Sequence, residues 1–227
     1  MLASDPASIR ERHDRLLDHL RGVAVANGHD PQRLRIVGIT KTHPAAVARA
    51  ALTAGITRLG ESRVQEAEPK IEAVPEAEWH LVGRLQSNKA RRAVRAFQVI
   101  HSVDSVDLLE RIDMISDEEA RSPRVLLQVN VSGEAAKAGL APEALDLVDA
   151  PHLAKLVGLM TIAPIDASAD GARAAFRSLR ELRDQLEQRI GVALPELSMG
   201  MSADADAAAA EGATLVRIGT ALFGPRS

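Results

Sequence analysis

The chain has 227 residues, 46% of them hydrophobic and 26% charged, which is ordinary globular composition with enough length to bury a full core. A formal net charge of -3 and the lack of a long basic run argue against nucleic acid as a partner, and the absence of cysteine excludes disulfides and thiolate metal sites. No stretch reaches the roughly 20 apolar residues needed to span a membrane. The N-terminal MLASDPASIRERHDRLL is charged from the start and has no signal-peptide core, so the expected location is cytoplasmic.

Asp5-Pro6 reads as a helix start, a capping carboxylate followed by proline in the first turn. Ile9, Leu16, Leu20 and Val23 then recur at helical spacing up to Gly28. The next run, Leu34–Ile39, is short, apolar and β-branched, as a buried strand is. Pro44 opens a helix through about Ala54, and Gly55 stops it. Further strand-like runs follow at Thr57–Leu59, Trp79–Val82, Phe97–Ile100, Val125–Val131, Leu156–Ile162, Glu196–Ser198 and Leu215–Ile218. Helix-like stretches such as Ser105–Ile115, Ala169–Arg189 and Ala203–Glu211 lie between them. Strand–helix alternation with short connections implies a parallel sheet covered by helices. An open doubly wound sheet is one such arrangement. Eight units in this length favour the other, a (β/α)8 TIM barrel in the α/β class with an extra N-terminal helix. No linker, low-complexity tract or composition break divides 1–227, so one domain is expected.

Barrels of this kind carry their sites at the C-terminal strand ends. Here those ends read Thr40-Lys41-Thr42-His43, Gly60-Glu61-Ser62, His101-Ser102, Asn130-Val131-Ser132, Met160-Thr161, Ser198-Met199-Gly200-Met201-Ser202 and Arg217-Ile218-Gly219-Thr220. Turn chemistry alone also favours such residues, but its convergence on one rim points to a ligand. Lys41 directly follows an apolar strand. Its stem is therefore partly buried, which disfavours the ammonium and readies the amine to attack an aldehyde. At strand eight, the N–H groups of Gly219 and Thr220 offer a phosphate cradle, and Ser202, expected to cap the helix after strand seven, faces the same anion. A phosphate at strands seven and eight with a lysine on neighbouring strand one suits pyridoxal 5′-phosphate (PLP). The seven histidines show no HExxH or paired-ligand spacing, so no metal site is expected and His80 and His101 read as structural. Lys89, Arg91, Arg92 and Arg95 form a basic helix face, a solvated surface or one open to an anionic partner.

The segments ITKTHP (39–44), GESRVQEAEPK (60–70), WHLVGRLQSNKARR (79–92), HSVDS (101–105), VNVSGEAAKAG (129–139), GLMTIAP (158–164), LSMGMSADADAA (197–208) and VRIGTALFG (216–224) occur in this order. Together they resemble the pyridoxal phosphate homeostasis family (YggS/PROSC), whose fold is that of the alanine racemase N-terminal barrel. The resemblance implies that Lys41 carries PLP as a Schiff base and that Ser202, Gly219 and Thr220 hold its phosphate. It also implies that Arg217 faces the pyridine nitrogen, that Asn130 and Met160 line the ring, and that the protein is a monomer. Two stretches depart from the family pattern. Ser62-Arg63 follow Glu61 where asparagine and an aromatic are usual, and Ile39-Thr40 replace a small residue and serine.

A PLP racemase of that fold uses a tyrosine from an additional β domain as its second base. This chain contains no tyrosine, and its length leaves no residues for such a domain. A guanidinium at the pyridine nitrogen would also keep that nitrogen unprotonated and the cofactor a poor electron sink. The expected role is therefore a non-catalytic PLP carrier in vitamin B6 homeostasis, with PLP-dependent apo-enzymes as potential recipients. A PLP-dependent amino-acid racemase or decarboxylase is the alternative, and an interaction protein without cofactor a third reading.

Overall fold

The structure is a computed structural model that describes residues 5–134, 138–152, 154–164 and 167–224. Eight parallel strands hydrogen-bond in sequence order and close, the eighth pairing with the first. They are β1 (Arg35–Ile39), β2 (Arg58–Glu61), β3 (Glu78–Leu81), β4 (Val99–Val103), β5 (Arg124–Gln128), β6 (Lys155–Met160), β7 (Glu196–Ser198) and β8 (Leu215–Ile218). Around them lie α1 (Pro6–Ala26), α2 (Ala45–Thr53), α3 (Val64–Ala73), α4 (Ala90–Ala96), α5 (Val106–Glu118), α6 (Ala169–Ile190), α7 (Ala205–Ala210) and α8 (Thr220–Phe223). The closed α/β barrel is thus the expected one, and the open sheet is excluded.

Several helix ends follow from single residues. Asp5 accepts the Ser8 N–H at 3.1 Å and Pro6 opens α1. Ser105 and Ser168 cap α5 and α6 through their hydroxyls, and Gly191 ends α6 in the left-handed conformation, φ 66°. The main core lies between the strands and the helices, with Trp79, Leu59, Ile100, Phe176 and Leu20 buried in it. A smaller set fills the barrel itself: Val37, Ile39 and Leu215 on one side, Val99, Leu126 and Met160 on the other.

Some expected boundaries shift. Strand β2 runs on into Glu61, because a buried salt bridge lets a carboxylate stay inside. The fifth strand stops at Gln128 rather than Val131. Val129 makes only an isolated bridge to Leu140, and Asn130 turns its side chain onto the chain that follows. Helix α7 begins at Ala205, capped by the Asp204 backbone, so Ser202 is not its cap as expected. The middle of the segment 129–139 and the first residues of the chain fall outside the described residues. Among the described residues no helix is long and apolar enough to cross a membrane.

The arginines on the basic face of α4 are engaged in ion pairs. Arg91 pairs with Glu118 and with Glu119, the latter at 2.6 Å. Arg92 pairs with Glu68, and Arg95 with Glu119 at 2.6 Å. These pairs tie α4 to α3 and to the end of α5. The spacing of the cations along α4 showed the face but not the carboxylates opposite it.

Candidate functional site

Closure of β8 against β1 creates the site. The register sets Val37 beside Arg217 and Gly38 beside Ile218, so the chain beyond β1 rises next to Gly219 and Thr220. A cavity of about 330 Å3 opens there. That is within the range of about 300–1,000 Å3 of small-molecule sites. Lys41, Ser202, Arg217, Gly219 and Thr220 line it, with Ile39, His43, Ser62, Val82, Ile162, Met201 and Ala203. Five of the seven sequence-predicted residues therefore meet in one cavity. The other two do not line it. Met160 is fully buried deeper in the barrel against Val99 and Leu126. Asn130 spends its side chain on its own loop, donating to Glu134 O at 2.8 Å and accepting from Ser132 Oγ at 2.9 Å. The expectation that both line the ring is therefore not met by the cavity as the structure draws it.

Lys41 sits on a strained turn. The His43 N–H closes the turn onto the Thr40 carbonyl at 3.0 Å. Thr42 takes φ 67°, a left-handed conformation that a β-branched residue adopts at a cost of about 1–2 kcal/mol. Something must hold it there, and the anchor lies behind the strand. Lys70 of α3 donates to the Thr40 carbonyl at 2.8 Å and to Glu61 Oε1 at 2.6 Å. The Thr40 hydroxyl donates to the same Glu61 oxygen at 2.6 Å. All three residues are buried, so the network clamps α3 against the ends of β1 and β2 and fixes the root of Lys41. Lys41 itself is half-buried.

On the neighbouring strand β8, Arg217 is 5% exposed yet reaches the cavity wall. Its Nη1 donates to Ser198 Oγ at 2.7 Å and its Nη2 to the Thr161 carbonyl at 2.9 Å. Burial pulls the guanidinium down to about 10, so it remains a cation at neutral pH. Ser202 and Thr220 are exposed at the mouth. Thr220 begins α8, where the first N–H groups of a helix have no partner within it. The turn that brings Ser202 there needs glycine: Gly200 has φ 88°, and a Cβ on it would lie 2.5 Å from Ala208 Cβ. At Gly219, by contrast, a Cβ would meet only ordinary contacts with Ile39, so the packing does not itself demand glycine at that point of the cavity.

The donors suit PLP. The lining combines an amine, a fixed cation, and exposed hydroxyls. Among the described residues, no group of three or more His, Asp or Glu side chains is placed to hold a metal ion.

Residues 18–227 match the family model described as alanine racemase, N-terminal domain. The pyridoxal phosphate homeostasis protein of Synechocystis sp. is 44% identical over 204 residues, covering 86% of this chain and 93% of that one. The chain belongs to this family. The structure of PipY from Synechococcus elongatus PCC7942 with PLP bound is 41% identical, has a TM-score of 0.82, and covers 95% of this chain and all of its own. Alanine racemase from Clostridium difficile 630 shares the fold at a TM-score of 0.72 and 14% identity, over 91% of this chain and 56% of the racemase.

Sequence reasoning set His80 and His101 aside as structural. Both are wholly buried, and both belong to a hydrogen-bonded line that ends on Arg217. The available signal was their position: His80 lies within an apolar strand run and His101 directly follows one.

Proposed function

We propose that this protein binds PLP in the β1/β8 cavity and carries it within the cytoplasm as part of vitamin B6 homeostasis. The observation that supports this most directly is the meeting of Lys41, Arg217, Gly219 and Thr220 around one cavity, in a chain 41% identical to a protein solved with PLP bound. Lys41, which lines the cavity, would hold the cofactor through its amine, condensing with the aldehyde with loss of water. Such an imine would mask an aldehyde that amines would otherwise attack indiscriminately. Thr220 and Ser202 offer hydroxyls to the phosphate, and the α8 start offers N–H groups that favour an anion. Arg217 presents a donor to the pyridine nitrogen.

Bound PLP is a poorer electron sink when its ring nitrogen is unprotonated. Arg217, charged and held by Ser198 and Thr161, has no proton to give at neutral pH. The chain also has no tyrosine to serve as the second base of a racemase. Both points support a carrier rather than a racemase or decarboxylase. On this reading the protein is a single-domain monomer, and its partners are PLP-dependent apo-enzymes that accept the cofactor.

The test is the visible spectrum of the purified protein with added PLP, before and after borohydride reduction, followed by peptide mapping. Reduction onto Lys41 supports the reading. A modified lysine elsewhere, or none, overturns it. Sustained turnover of small amino acids by the loaded protein would overturn the carrier role alone.

A further inference from the structure

A continuous line of hydrogen bonds crosses the barrel interior. Arg217 Nη1 meets Ser198 Oγ at 2.7 Å, and Ser198 Oγ meets His101 Nδ1 at 2.8 Å. His101 Nε2 meets His80 Nδ1 at 2.8 Å, and His80 Nε2 meets Glu78 Oε1 at 2.8 Å. Ser198, His101 and His80 are all at most 1% exposed. Glu78, at the start of β3, lies half-buried at the opposite end of the barrel, where Arg124 at 2.6 Å and Arg58 at 3.3 Å also hold it.

The chemistry of the two ends gives this line one direction. A guanidinium can only donate, and a carboxylate can only accept. Ser198 must therefore accept from Arg217, which frees its own O–H for His101 Nδ1. A neutral histidine has one donor and one acceptor. His101 accepts at Nδ1 and so donates from Nε2, and His80 in turn accepts at Nδ1 and donates from Nε2 to Glu78. Burial drives both histidines below their usual range, His101 furthest, which favours the neutral rings this pattern uses. Every polar atom of the line is then satisfied, and each bond polarises the next.

We infer that Glu78, His80, His101 and Ser198 are positioning residues for Arg217, holding its guanidinium in one plane with its remaining N–H groups toward the cavity. A long arginine left to itself has many rotamers, and a buried cation without anchors is costly. Two acceptors on different nitrogens, Ser198 Oγ and the Thr161 carbonyl, remove that freedom. The line ends at the other end of the barrel on a carboxylate that Arg124 and Arg58 also hold, while the carboxylate whose charge acts on Arg217 is Asp204. The inference rests on the cofactor reading above for what Arg217 meets, but the direction of the line holds without any ligand.

Two measurements test it. In 15N-detected NMR of the PLP-free protein near neutral pH, His80 and His101 should both be Nε2–H tautomers. Protonated rings or an Nδ1–H form at either would overturn the assigned direction. Ser198→Ala removes the link to Arg217 and should weaken PLP retention about tenfold. Glu78→Gln acts from the far rim and does not depend on the interior tolerating a new side chain. It should populate the reversed tautomers at His80 and His101 and shift the absorbance maximum of bound PLP, which a packing role would leave unmoved. A Glu78→Gln protein with unchanged tautomers and an unchanged absorbance maximum would overturn the proposal. If the unsubstituted protein takes up no PLP, the cofactor reading fails, while the tautomers still decide the line.

Discussion

Replacing Lys70 with methionine tests the clamp behind Lys41. Glu61 is fully buried, and two donors meet its Oε1, the Lys70 ammonium and the Thr40 hydroxyl, each at 2.6 Å. Oε2 has no partner. Lys70→Met keeps the volume of the side chain but leaves the carboxylate with a single neutral donor. Breaking a buried ion pair from one side costs about 3–5 kcal/mol. The lower figure applies, because the Lys70 side chain is 9% exposed and water has some access. For a chain of this size about 3 kcal/mol corresponds to a fall in Tm of roughly 6–12 °C. The Thr40 carbonyl keeps the His43 N–H, so the turn stays closed, but it loses the Lys70 bond that anchors it. Removing both charges, Glu61→Leu with Lys70→Met, should recover at least half the loss, since an apolar replacement of a buried pair is often neutral. Urea unfolding of the two single variants and the double variant, followed by far-UV circular dichroism, completes a double-mutant cycle. A single Lys70→Met cost below about 1 kcal/mol, or a double variant equal to the sum of the singles, would refute the clamp.

Lys41→Ala should abolish the PLP absorbance band and leave the far-UV spectrum unchanged, because the turn backbone is held through Thr40 and His43; an unfolded variant would make Lys41 structural. Arg217→Ala should release PLP at least tenfold more readily by equilibrium dialysis, the loss of a charge-assisted contact; unchanged retention would remove Arg217 from the site. Stability should fall with acid in two stages. His80 and His101 titrate below their usual 6.5 when folded, so the unfolded chain takes up more protons as pH drops below about 6.5 and stability declines there. Glu78 and Glu211 sit at about 2 when folded, the first through its hydrogen bond from His80, the second through Arg177, Arg173 and Arg180 acting against burial. Their contribution is present above 4.5 and is lost as pH falls toward 2. A Tm flat between pH 7 and 5 would contradict the histidine part.

Much of the architecture can be read without coordinates. Apolar runs of five or six residues mark buried strands because both faces of such strands are covered. Asp5, Ser105, Ser168 and Gly191 place helix ends because their side chains or backbone settle those ends locally. That Lys41, Gly219 and Thr220 share a cavity could be expected because strand ends are where a barrel keeps its chemistry. The exchange between neighbours far apart in the chain was not legible. Barrel closure sets Arg217 beside β1, turns Met160 into the interior and leaves Asn130 to its loop. The partners of Lys70, of the α4 arginines and of the two histidines depend on which side chains meet across strands and helices. A sequence period says which face a residue occupies, but hydrogen bonds of 2.6–2.8 Å between distant segments exist only once the register and the packing of the closed barrel have set the distance.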